Sequence, residues 1–172
     1  MFDSAQLAYM QDVLGLTSIL VPEQVVAEGF QPAIVTPSLT VRTRGILSEA
    51  RLIAVWARAR AATSAEAEIL AEKMVSAMKV QPGQVFWIDW EQGEGELPSE
   101  IFEVLGSSAP LPILVFGEST AAKLIPLQVA AGRWTDYRGG RYMITLSPEA
   151  LLESTEKKRI AWSHLQIVMK EL

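Results

Sequence analysis

Four places in this sequence set polar side chains just past an apolar, strand-forming run. Asp89 closes "VFWID" and stands between Ile88 and Trp90. A carboxylate there has three uses: general base, acceptor for the edge of a nucleobase, or cap for a backbone N–H in the next turn. The cap is the simplest. Ser147 follows "RYMITL" and opens Ser-Pro-Glu. As a nucleophile it would need a base. The one histidine is His164, so a Ser147–His164–Asp136 triad can be written. The same three residues also make an ordinary helix start: Ser as N-cap, Pro148 in the first position, and Glu149 facing the positive end of the helix dipole. Arg58 and Arg60 follow "RLIAVWA" and could grip a phosphate, or simply face water. "GEST" follows "LPILVF". Gly117 and a helix start suit an anion, but Glu118 stands where the anion would sit. Ser119 or Thr120 as helix cap is the better reading.

The elements that hold these residues can be read from periodicity. Ser4–Leu14 reads as a short helix with Leu7, Met10 and Leu14 on one face. Pro22, Gly29, Pro32 and Pro37 then break every pattern, so residues 1–45 read as a helix and an extended lead-in, and 46–172 as the folded domain. "RLIAVW", "VFWID", "LPILVF" and "RYMITL" are short apolar runs suited to buried parallel strands. Helices alternate with them. One is announced by Thr63 and Glu66 as a capping box and carries Leu70, Met74, Ala77 and Met78. A second starts at Ser99 as cap. The last is capped by Ser154 and bears Ala161, Leu165, Val168 and Leu172 as an apolar stripe. Alternation with crossover-length connections predicts an α/β fold: a four-stranded parallel sheet between two layers of helices, with working groups gathered beyond the carboxyl ends of the strands. Trp87 and Trp90 fall on opposite sides of their strand. One belongs to the core, and the other could be a stacking platform or an interface anchor.

Composition narrows the chemistry. The chain has 172 residues and a net charge of −5. It has no cysteine, which removes disulfides, thiolate metal sites, iron–sulfur clusters and Cys nucleophiles. A single histidine argues against a His-based metal site. No apolar run is long enough for a membrane span, and "MFDSAQLAYM" lacks the features of a signal peptide, so a cytoplasmic location is expected. Arg42, Arg44, Arg51, Arg58 and Arg60 crowd one span, and Glu91, Glu94, Glu96 and Glu100 another. These are either solvated loops or one basic and one acidic surface with different partners.

Several segments, in order, resemble the uracil-DNA glycosylase superfamily, especially its bacterial and archaeal branch that carries an iron–sulfur cluster. They are "ILAEKMVSAMKVQPGQVFWIDW", "ILVFGESTAAKLI" and "GRWTDYRGGRYMITLSPEALLESTEKKRIAWSHLQIVMKEL". The resemblance spans roughly Arg51–Leu172. It departs where that family does its chemistry. Trp56-Ala57-Arg58-Ala59-Arg60 replaces the motif that orients water. Asp89 stands where the family has the Asn that reads the base edge. Ser147 stands where it has the His that stabilises the departing uracil. "EQGEGELPSE" replaces a basic, Pro-rich loop, and the cluster cysteines are missing. One charge-stabilising donor of this kind is worth ~3–4 kcal/mol in a dry pocket, and a neutral hydroxyl is a weaker one. The acidic loop would also repel the phosphates of DNA.

The resemblance therefore implies a glycosylase-like α/β/α fold without the glycosylase site. Asp89 and Ser147 mark the vestigial site, and Trp56, Arg58, Phe86, Trp90 and Gly117 are the candidates to line its pocket. A precedent in kind is the psi subunit of the bacterial clamp-loader assembly, a connector protein whose beginning "YMQDVLGLTSILVPE" is similar to. On that reading Leu7, Met10, Leu14 and Trp134 are interaction residues, and the partner is a protein of DNA replication or repair. DNA is a weak candidate partner, with no cofactor, metal or membrane. The alternatives are a divergent glycosylase or nucleobase binder using Asp89 and Ser147, and a nucleic-acid-binding module using Arg42–Arg60.

Overall fold

The computed structural model describes residues 39–59, 64–108 and 110–172. The helix expected over 4–14, with Leu7, Met10 and Leu14, lies outside them, as do Arg60 and Thr63. Six strands and five α-helices form among the described residues. In chain order they are β1 (Val41–Arg44), β2 (Leu52–Arg58), α1 (Ser64–Ala77), β3 (Val85–Glu91), α2 (Ser99–Ser107), β4 (Pro112–Phe116), α3 (Glu118–Leu124), β5 (Trp134–Tyr137), β6 (Gly140–Thr145), α4 (Pro148–Leu152) and α5 (Thr155–Val168).

The strands make one sheet in the order β1-β3-β2-β4-β6-β5. The four strands read from the sequence are its centre, and they run parallel to one another. The expectation of a purely parallel four-stranded sheet needs correction, because an antiparallel strand closes each side: β1 on β3, and β5 on β6. Both additions are four residues long and half-exposed, so they lack the continuous apolar run that betrays a buried strand. Val41–Arg44 in particular reads as the end of an irregular lead-in, yet pairs residue for residue with Trp87–Trp90.

Alternation along the central strands sorts the core into two sets. Leu52, Ala54 and Trp56, with Val85, Trp87, Leu114, Phe116 and Met143, point to one face and pack with Ala67, Ala71, Val75 and Met78 near or in α1 and with Leu165 and Val168 of α5. Ile53, Val55 and Ala57, with Ile88, Trp90, Ile113, Val115 and Ile144, point to the other face and meet Ile101 and Leu105 of α2 and Ala121 and Leu124 of α3. Both faces of the centre are thus covered by helices, which is why these strands read as unbroken apolar runs. On the first face Ala54 is the register partner of Trp87. Its small side chain leaves room for the Trp87 ring to stack on Phe116, at 6.2 Å and 7° between planes. Trp87 and Trp90 do lie on opposite faces, but both are buried, at 8 % and 1 % exposure, so neither offers a platform.

Helix ends agree in part with the sequence. Ser147 and Ser154 cap α4 and α5 by accepting from Ala150 N and Lys157 N. Ser99 does not cap α2: it is the first helical residue, and Pro98 holds the cap position with no side-chain bond. Gly117 holds the cap position of α3, so Ser119 and Thr120 are free for other work. Leu105 is fully buried between α2 and the sheet. Leu105→Ala is expected to cost about 2–5 kcal/mol of unfolding free energy, whereas Leu127→Ala, at 61 % exposure, should stay within about 0.5 kcal/mol. Urea denaturation of the two variants checks the contrast.

Candidate functional site at the carboxyl ends of the strands

The chain steps from β2 outward to β3, then crosses back over β2 to β4. That reversal places the switch point, the usual ligand crevice of an α/β sheet, at the carboxyl ends of β2 and β4. Here the chain fills it with its own polar groups. Thr120 is wholly buried; its hydroxyl accepts from Ala57 N at 3.0 Å and donates to Phe116 O. The Glu149 carboxylate accepts from Ala59 N at 3.2 Å. Gly117 N donates to Thr145 O at 2.9 Å. Gly117 has φ +88°, and a Cβ there would come within 3.0 Å of the Ser147 Cβ, so Gly is required at this crossing. Gln92 donates to the Ser119 hydroxyl at 3.1 Å and ties the acidic loop to the start of α3.

Asp89 sits beside this crevice, on the Trp56 face, with no solvent exposure. It caps no described turn. Three arginines converge on it instead. Arg42 approaches Oδ2 through Nε at 3.1 Å and Nη2 at 3.0 Å. Arg58 Nε lies 2.8 Å from the same oxygen, but its N–H is misdirected for a hydrogen bond, so this is a charge contact. Arg44 Nε lies 3.8 Å from Oδ1, and neither atom has a hydrogen-bond partner. The arginines are themselves shared: Arg44 pairs with Glu72 at 2.9 Å and Glu68 at 3.3 Å, and Arg42 reaches Glu68 at 3.9 Å. Strand alternation explains the assembly. Arg42 and Arg44 are two apart on β1, Asp89 is the register partner of Arg42, and Glu68 and Glu72 are one turn apart on α1. The basic surface expected from Arg42, Arg44 and Arg58 is therefore internally neutralised.

The remaining candidates do not converge. Trp56 is wholly buried on the Asp89 face, and its indole N–H has no partner. Phe86 and Trp90 point to the opposite face from Asp89, packing with the second core set. Ser147 is occupied as the α4 cap. His164 bonds Thr145 Oγ1 through Nδ1 at 3.3 Å, and among the described residues it makes no hydrogen bond to Ser147 or to Asp136, which sits on β5. Trp134 is half-buried against the first core set, with the Arg141 guanidinium 4.6 Å above its ring and Glu171 holding that arginine. Thr120, Gln92 and Glu149 were not singled out as crevice residues by sequence. Their sidedness depends on how α3 and α4 pack back onto the sheet, and no local signal carries that.

A cavity of about 290 Å³ lies elsewhere, between the second half of α1 and the edge of the sheet. Arg44, Glu72, Val75, Val80, Pro82 and Trp87 are among its lining residues, toward the amino end of β3. It is at the small end of ligand-pocket sizes, and Arg44 and Glu72 are paired with each other across it. Among the described residues no group of three or more His, Asp or Glu is placed to hold a metal ion, and no helix is long and apolar enough to cross a membrane.

Two outcomes are expected. Asp89→Asn leaves three guanidinium groups without their buried anion and should cost about 3–5 kcal/mol, while Glu72→Gln, whose carboxylate is half-exposed, should cost no more than about 1 kcal/mol. Burial holds the His164 imidazole below its ordinary 6.5, so the folded chain binds that proton less tightly than the unfolded one. Its contribution to stability is complete above pH 6.5 and is lost as pH falls from there through the depressed folded value. Denaturant melts between pH 7.5 and 5 should show that slope in the parent and a shallower one in His164→Gln.

The sequence matches no protein-family model and no curated protein.

Proposed function

We propose that this chain is a non-catalytic relative of the uracil-DNA glycosylases, a three-layer α/β/α domain that works by protein contacts in DNA replication or repair, in the manner of a psi subunit. The observation that carries this reading is the state of Asp89. A residue that reads a base edge must present its acceptors to an open pocket. The Asp89 carboxylate is wholly buried and committed to Arg42, Arg44 and Arg58. The second position agrees. Ser147 offers its oxygen to Ala150 N as a helix cap, and its hydroxyl is a poor substitute for a donor that must stabilise a leaving anion. Thr120 and Glu149 occupy the rim of the crevice, and the loop after β3 is lined by exposed carboxylates that disfavour a phosphate backbone. The family resemblance and the four parallel central strands with helices on both faces support the fold part of the reading.

A base-release assay tests it. Single- and double-stranded oligonucleotides carrying uracil, hypoxanthine or xanthine should lose no base on incubation with the folded full-length protein. Release that disappears in Ser147→Ala, a change that removes a cap worth about 1 kcal/mol and leaves the core intact, would overturn the reading and make the chain a divergent glycosylase.

A further inference from the structure

The outward face of α5 carries an exposed aromatic side chain beside two exposed cations. Trp162 is 40 % exposed there, whereas Trp56, Trp87 and Trp90 are buried and Trp134 is half-buried. Lys158 and Arg159 lie four and three residues before it, on the same face, and both are exposed. Among the described residues neither meets a carboxylate. Trp and Arg are the side chains that most often dominate interfaces.

The opposite pattern is found in the described residues after β3. The loop from β3 to α2 exposes Glu94, Glu96 and Glu100 around a half-buried Pro98. That loop is held in place. Lys123 donates to Gly95 O at 2.6 Å, Gln92 to Ser119 at 3.1 Å, Leu39 N to Glu96 O at 2.9 Å, and Leu97 is buried in the second core set. A loop already ordered loses little entropy on binding.

We propose that the α5 face binds the Glu94–Glu100 loop of a second copy of this chain, with Trp162 over Pro98 and Lys158 and Arg159 against the flanking carboxylates. Charge complementarity selects this occupant: a patch of two cations and one indole matches a proline set among carboxylates. The two patches differ, so the contact is head-to-tail, each copy offering both halves. Nucleic acid fits less well, because two cations neutralise few phosphates on a chain of net charge −5. The interface rests on exposed charges and is screened within about 10 Å at 0.1 M salt. It is therefore weak and salt-sensitive.

Sedimentation equilibrium of the full chain at 20 mM and 500 mM salt tests the proposal. The expected result is a weight-average mass that rises with concentration above the 18.9 kDa of one chain at low salt and returns to it at high salt. Lys158→Glu/Arg159→Glu and Glu94→Lys/Glu96→Lys should each remain monomeric at low salt, and an equimolar mixture of the two should associate again. All four substitutions lie on exposed positions, so folding is retained, and circular dichroism checks it. A monomer at every concentration in low salt, or association indifferent to both charge reversals, would overturn it. Neither outcome bears on base release, so this proposal and the functional reading fail separately.

Discussion

A single buried carboxylate organises one side of this domain. Asp89 has no access to water, and a charge in that position is tolerated only when it is paired. The pairing comes from two neighbouring strands: Arg58 on β2, Arg42 and Arg44 on β1. β1 is four residues long and contributes no fully buried side chain. A strand that short gains little from hydrophobic burial, so the ionic contacts and the ladder to β3 are what define its position. The outer ring of Glu68 and Glu72 then ties α1 to the same strand. These outer pairs are half-exposed and individually worth little. The buried anion dominates, and the outer carboxylates balance the charge it cannot cover alone.

The same arrangement explains why the usual ligand position of the fold offers so little chemistry. The crevice where the chain reverses direction is closed by bonds that serve the backbone: Thr120 to Ala57, Glu149 to Ala59, Gly117 to Thr145. Each satisfies a polar group that would otherwise be stranded at a strand end. The groups tied up in these bonds are not offered to a ligand, and the unpartnered atoms nearby, among them Trp56 Nε1 and Asp89 Oδ1, are buried.

Much of the architecture was legible in the linear pattern. The four central strands, the caps at Ser147 and Ser154, and the stripe of Ala161, Leu165 and Val168 all follow from apolar runs and local capping chemistry. Errors concentrate where a residue's partner is remote in sequence. Asp89 reads as a turn cap because its arginines are 31, 45 and 47 positions away. Arg42, Arg44 and Arg58 read as a surface for the same reason. Trp87 and Trp90 were assigned to opposite sides, which holds, but alternation alone does not say that helices cover both sides.

By itself the sequence determined the α/β class, the parallel centre, the helix starts at Ser147 and Ser154 and the absence of cysteine chemistry, because each depends on neighbours within a few residues or on composition. Only the tertiary structure decided that two antiparallel edge strands extend the sheet, that Asp89 is a buried hub, and that His164 answers to Thr145 instead of Ser147. Those outcomes depend on register between strands and on which helix covers which face. Both are set by contacts across tens of residues, which no local pattern in the chain records.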